Sequence, residues 1–242
     1  MKNILVTGVS RGLGTEIVRS LLTDPDYRIY GISRTETSAI VQFLEDYPER
    51  FMWRQYDLSD ADNVRNEIFK NFIGFNTPLC GFINNAAVAY DDIVTNISYD
   101  KLIQMYGVNV FTPMLITKYA IRQFLLHGIG GSIVHLSSIS VHTGYKGLAM
   151  YASTKGALEA FSKNTAREWG ERGIRSNTVV AGFMETDMSS TLTADQKDRI
   201  YKRTSLKRPT STKSVAETVK FLISDGAASI TGQNVNVDSG TI

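Results

Sequence analysis

Short runs of apolar and β-branched residues alternate along the chain with longer amphipathic stretches. The runs Asn3 to Thr7, Tyr27 to Ser33, Phe51 to Leu58, Leu79 to Asn84, Ser132 to Ser137 and Arg175 to Val180 read as strands. Between them apolar residues fall three and four apart, as in Ile17, Val18, Leu21, Leu22 and in Leu158, Phe161, Thr165, Trp169, which is helical spacing. ILVT, GFIN and SIVHLS are almost continuously apolar rather than alternating, so both faces of those strands are expected to be covered. The pattern predicts an α/β chain with a parallel sheet between two layers of helices.

Two places break the rhythm. Pro113 lies inside a helical pattern running from about Tyr99 to Leu126, and it should kink or divide that helix near Asn109 to Phe111. Phe183 to Leu192 shows neither period before another helix begins, which makes residues 183–205 a candidate lid. No repeat and no Pro-, Gly- or Ser-rich linker divides the 242 residues, so one domain spanning 1–242 is expected.

Composition narrows the function classes. Hydrophobic residues make up 43% and charged residues 21%, ordinary values for a globular chain that buries a core. The 26 basic and 24 acidic residues are interleaved and net only +2, so no footprint for nucleic acid or an anionic membrane is expected. No run is long enough to cross a bilayer, and the first apolar run is stopped by Gly8, too early for a secretory signal. A cytoplasmic protein with a small ligand is the expectation. Cys80, the single cysteine, reads as a small core hydrophobe. Asn96-Ile97-Ser98 matches a glycosylation triplet that a cytosolic chain never presents to that machinery. His127, His135 and His142 lack metal-site spacing, so no metal is expected; His135 lies within a strand, whereas His142, soon after Ser138, could line a pocket with Tyr145, Met184 and Met188.

The first strand runs directly into TGVSRGLG and then a helix. Gly8, Gly12 and Gly14 would let the backbone approach a pyrophosphate, with Ser10, Arg11 and Leu13 completing the turn and the helix N-terminus supplying free N–H groups. The second strand ends Gly31-Ile32-Ser33-Arg34 without a carboxylate. Arg34 and Arg11 could therefore clamp a 2′-phosphate, which favours NADP(H) over NAD; the alternative is two solvated surface arginines. Asp57, with Leu58 beside it, could accept a hydrogen bond from an adenine, or simply cap the next helix.

Tyr151 and Lys155 stand four residues apart, one helical turn, on the same face. At about 5 Å and an effective dielectric of about 20, the ammonium would favour a phenolate by roughly 3 kcal/mol, about two pK units, moving the tyrosine toward the range where a general acid works at neutral pH. Ser138 follows the strand SIVHLS and so sits at a carboxyl end, where open α/β sheets bind ligands.

Taken together, TGVSRGLG, Asp57, NNAA (Asn84 to Ala87), Asn109, Ser138 with Tyr151 thirteen residues on, Lys155 and GFMETDM (Gly182 to Met188) resemble the short-chain dehydrogenase/reductase family over essentially the whole chain. Within it the chain is similar to bacterial 3-oxoacyl-[acyl-carrier-protein] reductases, through Tyr151 to Met188 and ITGQNVNVDSG. The resemblance implies a Rossmann-type doubly wound parallel sheet of about seven strands, helices on both faces, in a three-layer sandwich. It implies reduction of a ketone by NADPH, with Tyr151 protonating the alkoxide, Ser138 holding the carbonyl oxygen, Lys155 on the nicotinamide ribose and Asn109 anchoring a water. Asn85, Ala86, Gly182, Met184 and Thr186 fall at cofactor-contacting positions. Three residues depart from the family pattern: Ala87 for glycine, Ala181 for proline and Ser239 for glycine. An acyl-thioester substrate, carried by an acyl-carrier protein or CoA, is implied, and Arg172 matches a carrier-docking position, although His127 to Gly131 offers no further basic residue. A sugar, polyol or other small ketone is the rival substrate, and a non-catalytic NADP-binding regulator the rival role. A homotetramer, or a dimer, is the implied assembly.

Overall fold

The computed structural model describes residues 1–186 and 193–242. Strand β1 (Lys2–Thr7) leads into helix α1 (Gly12–Leu22), β2 (Tyr27–Ser33), α2 (Ser38–Asp46) and β3 (Phe51–Gln55). A π-wound helix (Arg65–Ile73) returns the chain to β4 (Leu79–Asn84). Then follow α3 (Tyr99–Tyr106), a π-wound turn (Gly107–Phe111), α4 (Thr112–Leu126), β5 (Gly131–Ser138), the short α5 (Ser140–Thr143), α6 (Ala149–Trp169) and β6 (Ile174–Ala181). Helices α7 (Ala194–Arg203) and α8 (Thr212–Ile223) precede β7 (Asn234–Val237).

The seven strands form one parallel sheet in the order β3-β2-β1-β4-β5-β6-β7. The expected doubly wound, three-layer architecture is thus present. Continuous apolar strands follow from the two cores: Ile4 and Val6 face α1 and α8 through Ile17, Leu21, Val215 and Val219, while Leu5 faces the other side with Ile68, Phe69, Ile116 and Phe124. Because the strand order reverses between β1 and β4, the connections after these two strands diverge to opposite faces and leave a crevice at their carboxyl ends.

Most strand boundaries move by a residue or less from those expected. The third ends early, at Gln55, because the Asp57 carboxylate accepts the Ser59 N–H at 2.9 Å and turns the chain. The long Tyr99 to Leu126 helix divides where Pro113 requires it: proline has no N–H to give the Asn109 carbonyl, and the turn holding Asn109 is wound wider before α4 starts with Pro113 in its first turn. In the expected lid, α7 starts at a capping box between Thr193 and Gln196; residues 187–192, Met188 among them, lie outside the described residues.

His135 in β5 is wholly buried, edge-on to Phe82 and Phe161, with Nδ1 3.3 Å from the Asn84 amide. Burial, helped by the nearby Lys155 charge, pulls its pKa down to about 3. An unfolded chain therefore takes up a proton near the ordinary histidine value that the folded chain refuses until about 3. The unfolded state binds more protons across that window, so folding stability should fall as pH drops through it. Denaturant titrations at several pH values between 4 and 6.5 should give a steeper loss for the native chain than for His135→Phe; equal slopes would show that another group carries the acid sensitivity.

Candidate functional site

A cavity of about 570 Å³ opens at the carboxyl ends of the central strands. One end is the turn between β1 and α1. Gly8 and Gly12 have φ of +75° and +56°, in the left-handed region that favours glycine. A Cβ on Gly14 would lie 1.9 Å from the Gly8 carbonyl oxygen, so the turn closes on itself only because that carbon is missing. The loop after β4 holds the turn from the side: Thr7 Oγ1 accepts the N–H groups of Asn85 and Ala86, and Asn85 Nδ2 donates to the carbonyls of Thr7 and Gly8, all at 3.1 Å. Asn85 thus shapes the glycine turn as well as bordering the cavity.

Ser10, Arg11 and Leu13 line this end, Arg11 being the N-cap residue of α1, whose first turn carries no acidic side chain. Arg34, exposed beyond β2, and Asp57 with Leu58 line the far wall, so the structure gathers the residues expected around an adenosine 2′-phosphate. Ala86, Met184 and Thr186 border the cavity; Gly182 does not, and a Cβ there would meet Thr210 Oγ1 at 2.2 Å.

At the other end, Tyr151 and Lys155 project from successive turns of α6. Lys155 is buried, its ammonium nitrogen 2.8 Å from the Leu136 carbonyl and 5.6 Å from the Tyr151 ring centroid. Ser138 closes β5 but does not itself line the cavity, which its neighbour Ser137 does; its Oγ accepts the Ser140 N–H at 3.1 Å. Asn109 is buried, not on the cavity wall: its Oδ1 accepts the Val88 N–H at 2.9 Å, and its Nδ2 donates to the Val88 carbonyl and to Thr154 Oγ1. It joins the loop after β4 to α6 immediately beside Lys155.

The electrostatics differ from the expectation in sign. Burial lowers Lys155 to about 8, and burial together with the Asp91 carboxylate raises the Tyr151 phenol above its ordinary value. The lowering expected from the ammonium is outweighed because desolvation of the half-buried phenol dominates, and the ammonium is directed at the Leu136 carbonyl. The phenol therefore keeps its proton across the neutral range and can give it up only to a stronger base, such as an alkoxide.

Several expected substrate contacts are not brought to the cavity. His142 turns to Glu159, with Nε2 3.1 Å from a carboxylate oxygen; Tyr145 is absent from the cavity wall. Arg172 precedes β6, at the amino end of a strand whose carboxyl end faces the site. Glu159 and Asp91 were not singled out from the sequence. Glu159 had a signal, since it continues the Tyr151–Lys155 row by one more turn on the buried side of α6; Asp91, in an irregular loop, had none.

Residues 8–241 match the family described as enoyl-(acyl carrier protein) reductase. The chain is 30% identical over 240 residues to the 3-oxoacyl-[acyl-carrier-protein] reductase FabG of Chlamydia pneumoniae, covering 99% of this chain and 96% of the relative. It is 31% identical over 246 residues to the FabG of a Staphylococcus epidermidis strain, covering 99% and 98%. Among solved structures it resembles a tyrosine-to-phenylalanine variant of ElxO with NADPH bound, with 26% identity, a TM-score of 0.88 and coverage of 99% and 98%. A chain assigned as a 2-deoxy-d-gluconate 3-dehydrogenase from Agrobacterium tumefaciens, with bound NADP, shares the fold at a TM-score of 0.90 and 21% identity, over 99% and 96%.

The Gly8 to Gly14 turn makes a direct demand on the sequence. Gly14→Ala should cost about 1–3 kcal/mol of stability, lowering the thermal midpoint by roughly 2–4 °C for each kcal/mol. An unchanged midpoint would show that the turn can relax around a methyl group.

Proposed function

The chain belongs to the short-chain dehydrogenase/reductase family, and from that premise we propose that it is an NADPH-dependent ketoreductase converting a 3-oxoacyl thioester to its 3-hydroxyacyl form. The observation that carries the reading is a half-buried, protonated phenol with a buried lysine one turn away, on the wall of a cavity whose opposite end is a glycine turn at a helix N-terminus.

The residues fit the cofactor. A turn in which Cβ atoms are excluded, facing N–H groups of α1 free of acidic neighbours, suits a pyrophosphate, and Arg11 and Arg34 suit a 2′-phosphate. Bound NADPH supplies the hydride equivalent for the carbonyl carbon. The rest falls to the protein. The Ser138 hydroxyl hydrogen-bonds the carbonyl oxygen, Tyr151 passes its proton to that oxygen as charge builds, and Lys155 places a buried positive charge next to the oxyanion and the nicotinamide ribose. Asn109 contributes by fixing Val88 and the start of α6.

Residues 194–213 support an anionic acyl carrier over a neutral sugar. They hold seven Lys and Arg against two acidic residues, in a chain with a net charge of only +2. Helix α7 has no buried residue and is joined to the cavity segment by the Tyr201 hydroxyl, which donates to Glu185 at 2.6 Å. Among the described residues no helix is long and apolar enough to cross a membrane. A cytoplasmic homotetramer or dimer acting on an acyl-carrier protein or CoA thioester completes the proposal.

Purified protein should oxidise NADPH with acetoacetyl thioester at least tenfold faster, by kcat/KM, than with any of a panel of keto sugars and polyol-derived ketones. A preference for a sugar would transfer the assignment to that class, and no turnover with either would favour a cofactor-binding regulator. Tyr151→Phe should lower kcat by about 10²–10⁴-fold while NADPH binding, followed by fluorescence, is retained. Lys155 is charged below its value near 8 and neutral above it. Reduction measured by kcat/KM should therefore be level below neutrality and decline as pH rises through about 8; a profile rising through that range would contradict the role given to the ammonium.

A further inference from the structure

Glu159 is a carboxylate in a place where burial has to be compensated. Its side chain is 8% exposed, and no lysine or arginine pairs with it among the described residues. Three donors from three elements fill it instead. Ser137 of β5 donates Oγ–H to Oε1 at 2.5 Å, Asn234 of β7 donates Nδ2–H to Oε2 at 2.8 Å, and His142 Nε2 lies 3.2 and 3.1 Å from the two oxygens.

The arrangement around Ser138 gives these contacts their meaning. Ser137 and His142 flank the segment carrying Ser138, and both ends of it are bound to one carboxylate. Inside the segment, Ser138 Oγ accepts the Ser140 N–H. Glu159 also continues a row on α6: Tyr151 faces the cavity, Lys155 donates to the Leu136 carbonyl, and Glu159 accepts from Ser137. Successive turns of the helix are thereby fixed to successive residues of β5, the next of which is Ser138.

We propose that Glu159 is a positioning residue that staples both ends of the Ser138 turn to α6 and so sets the serine hydroxyl in register with the Tyr151 phenol. It touches neither substrate nor cofactor. Its effect on the chemistry rests on the ketoreductase reading, while the staple itself does not. Glutamine at this position keeps the shape but presents an NH₂ where an oxygen accepted, so at least one donor meets a donor.

Two measurements on the full-length protein test this. Hydrogen exchange reads the staple without turnover: in Glu159→Gln the amides of residues 138–143 should exchange at least about tenfold faster, with those in the middle of α6 and in β1 unchanged. Protection equal to the native chain, or lost evenly across the fold, would overturn the staple. Kinetics reads its consequence: Glu159→Gln should lower kcat by about 10- to 100-fold, as a small misplacement at a reacting centre does, with NADPH affinity within about twofold of native. In a Ser138→Ala background the same substitution should add less than about twofold, because residues acting as one unit are non-additive. Full additivity would show that Glu159 does not act through Ser138. Should Glu159→Gln fold poorly, Ser137→Ala removes one arm alone, and it should raise exchange at residues 138–143 in the same direction; unchanged exchange there would count against the proposal. A native chain that reduces no ketone defeats the ketoreductase reading and leaves the exchange result to decide the staple.

Discussion

The contact on which the site depends is the donation from the Lys155 ammonium to the Leu136 carbonyl. A charge buried this deeply persists only with partners, and the partner here is a strand carbonyl two residues before Ser138. The same bond therefore partly compensates the lysine and fixes the rotation of α6 against the end of β5. With α6 so placed, Tyr151 one turn earlier faces the crevice beneath the diverging β1 and β4 connections. The low lysine pKa is the residual cost of that burial, which one carbonyl does not fully offset.

The fold was legible because its driving force is local in sequence. Burial on both faces leaves a continuous apolar strand and on one face a helical stripe, and both periods survive in a single sequence. The division of the Tyr99 to Leu126 helix was legible for a covalent reason, the absent N–H of Pro113, and what the sequence could not specify was that the chain would widen its winding there. The early end of β3 depended on a side chain accepting a backbone N–H, a competition that hydrophobic pattern does not register.

In the site, residues whose roles follow from their own spacing were legible and those whose roles follow from surroundings were not. Gly8, Gly12, Gly14, Tyr151 and Lys155 are fixed by turn and helix geometry and meet at one cavity. His142 is near Ser138 in sequence, yet a carboxylate seventeen residues on draws it away, and the third donor to that carboxylate comes from Asn234, seventy-five residues beyond. Arg172 failed for a directional reason: a residue preceding a parallel strand lies at the end opposite the ligands.

The sign of the Tyr151 shift shows most plainly what sequence spacing omits. A Coulomb argument between two residues one turn apart includes the attraction and leaves out the solvent that both lose. Desolvation raises the phenol and lowers the ammonium, so two proton affinities that lie close together in water move apart instead of following the charge of either. The phenol keeps its proton across the neutral range, while its neighbour near 8 can take up or release one there at little cost. The carboxylate on the same face of α6, Glu159, is turned away from the pair and toward the serine turn. The pair therefore keeps its desolvated environment while the turn keeps its shape, and the separation of these two duties along one face of α6 lets a buried helix serve both.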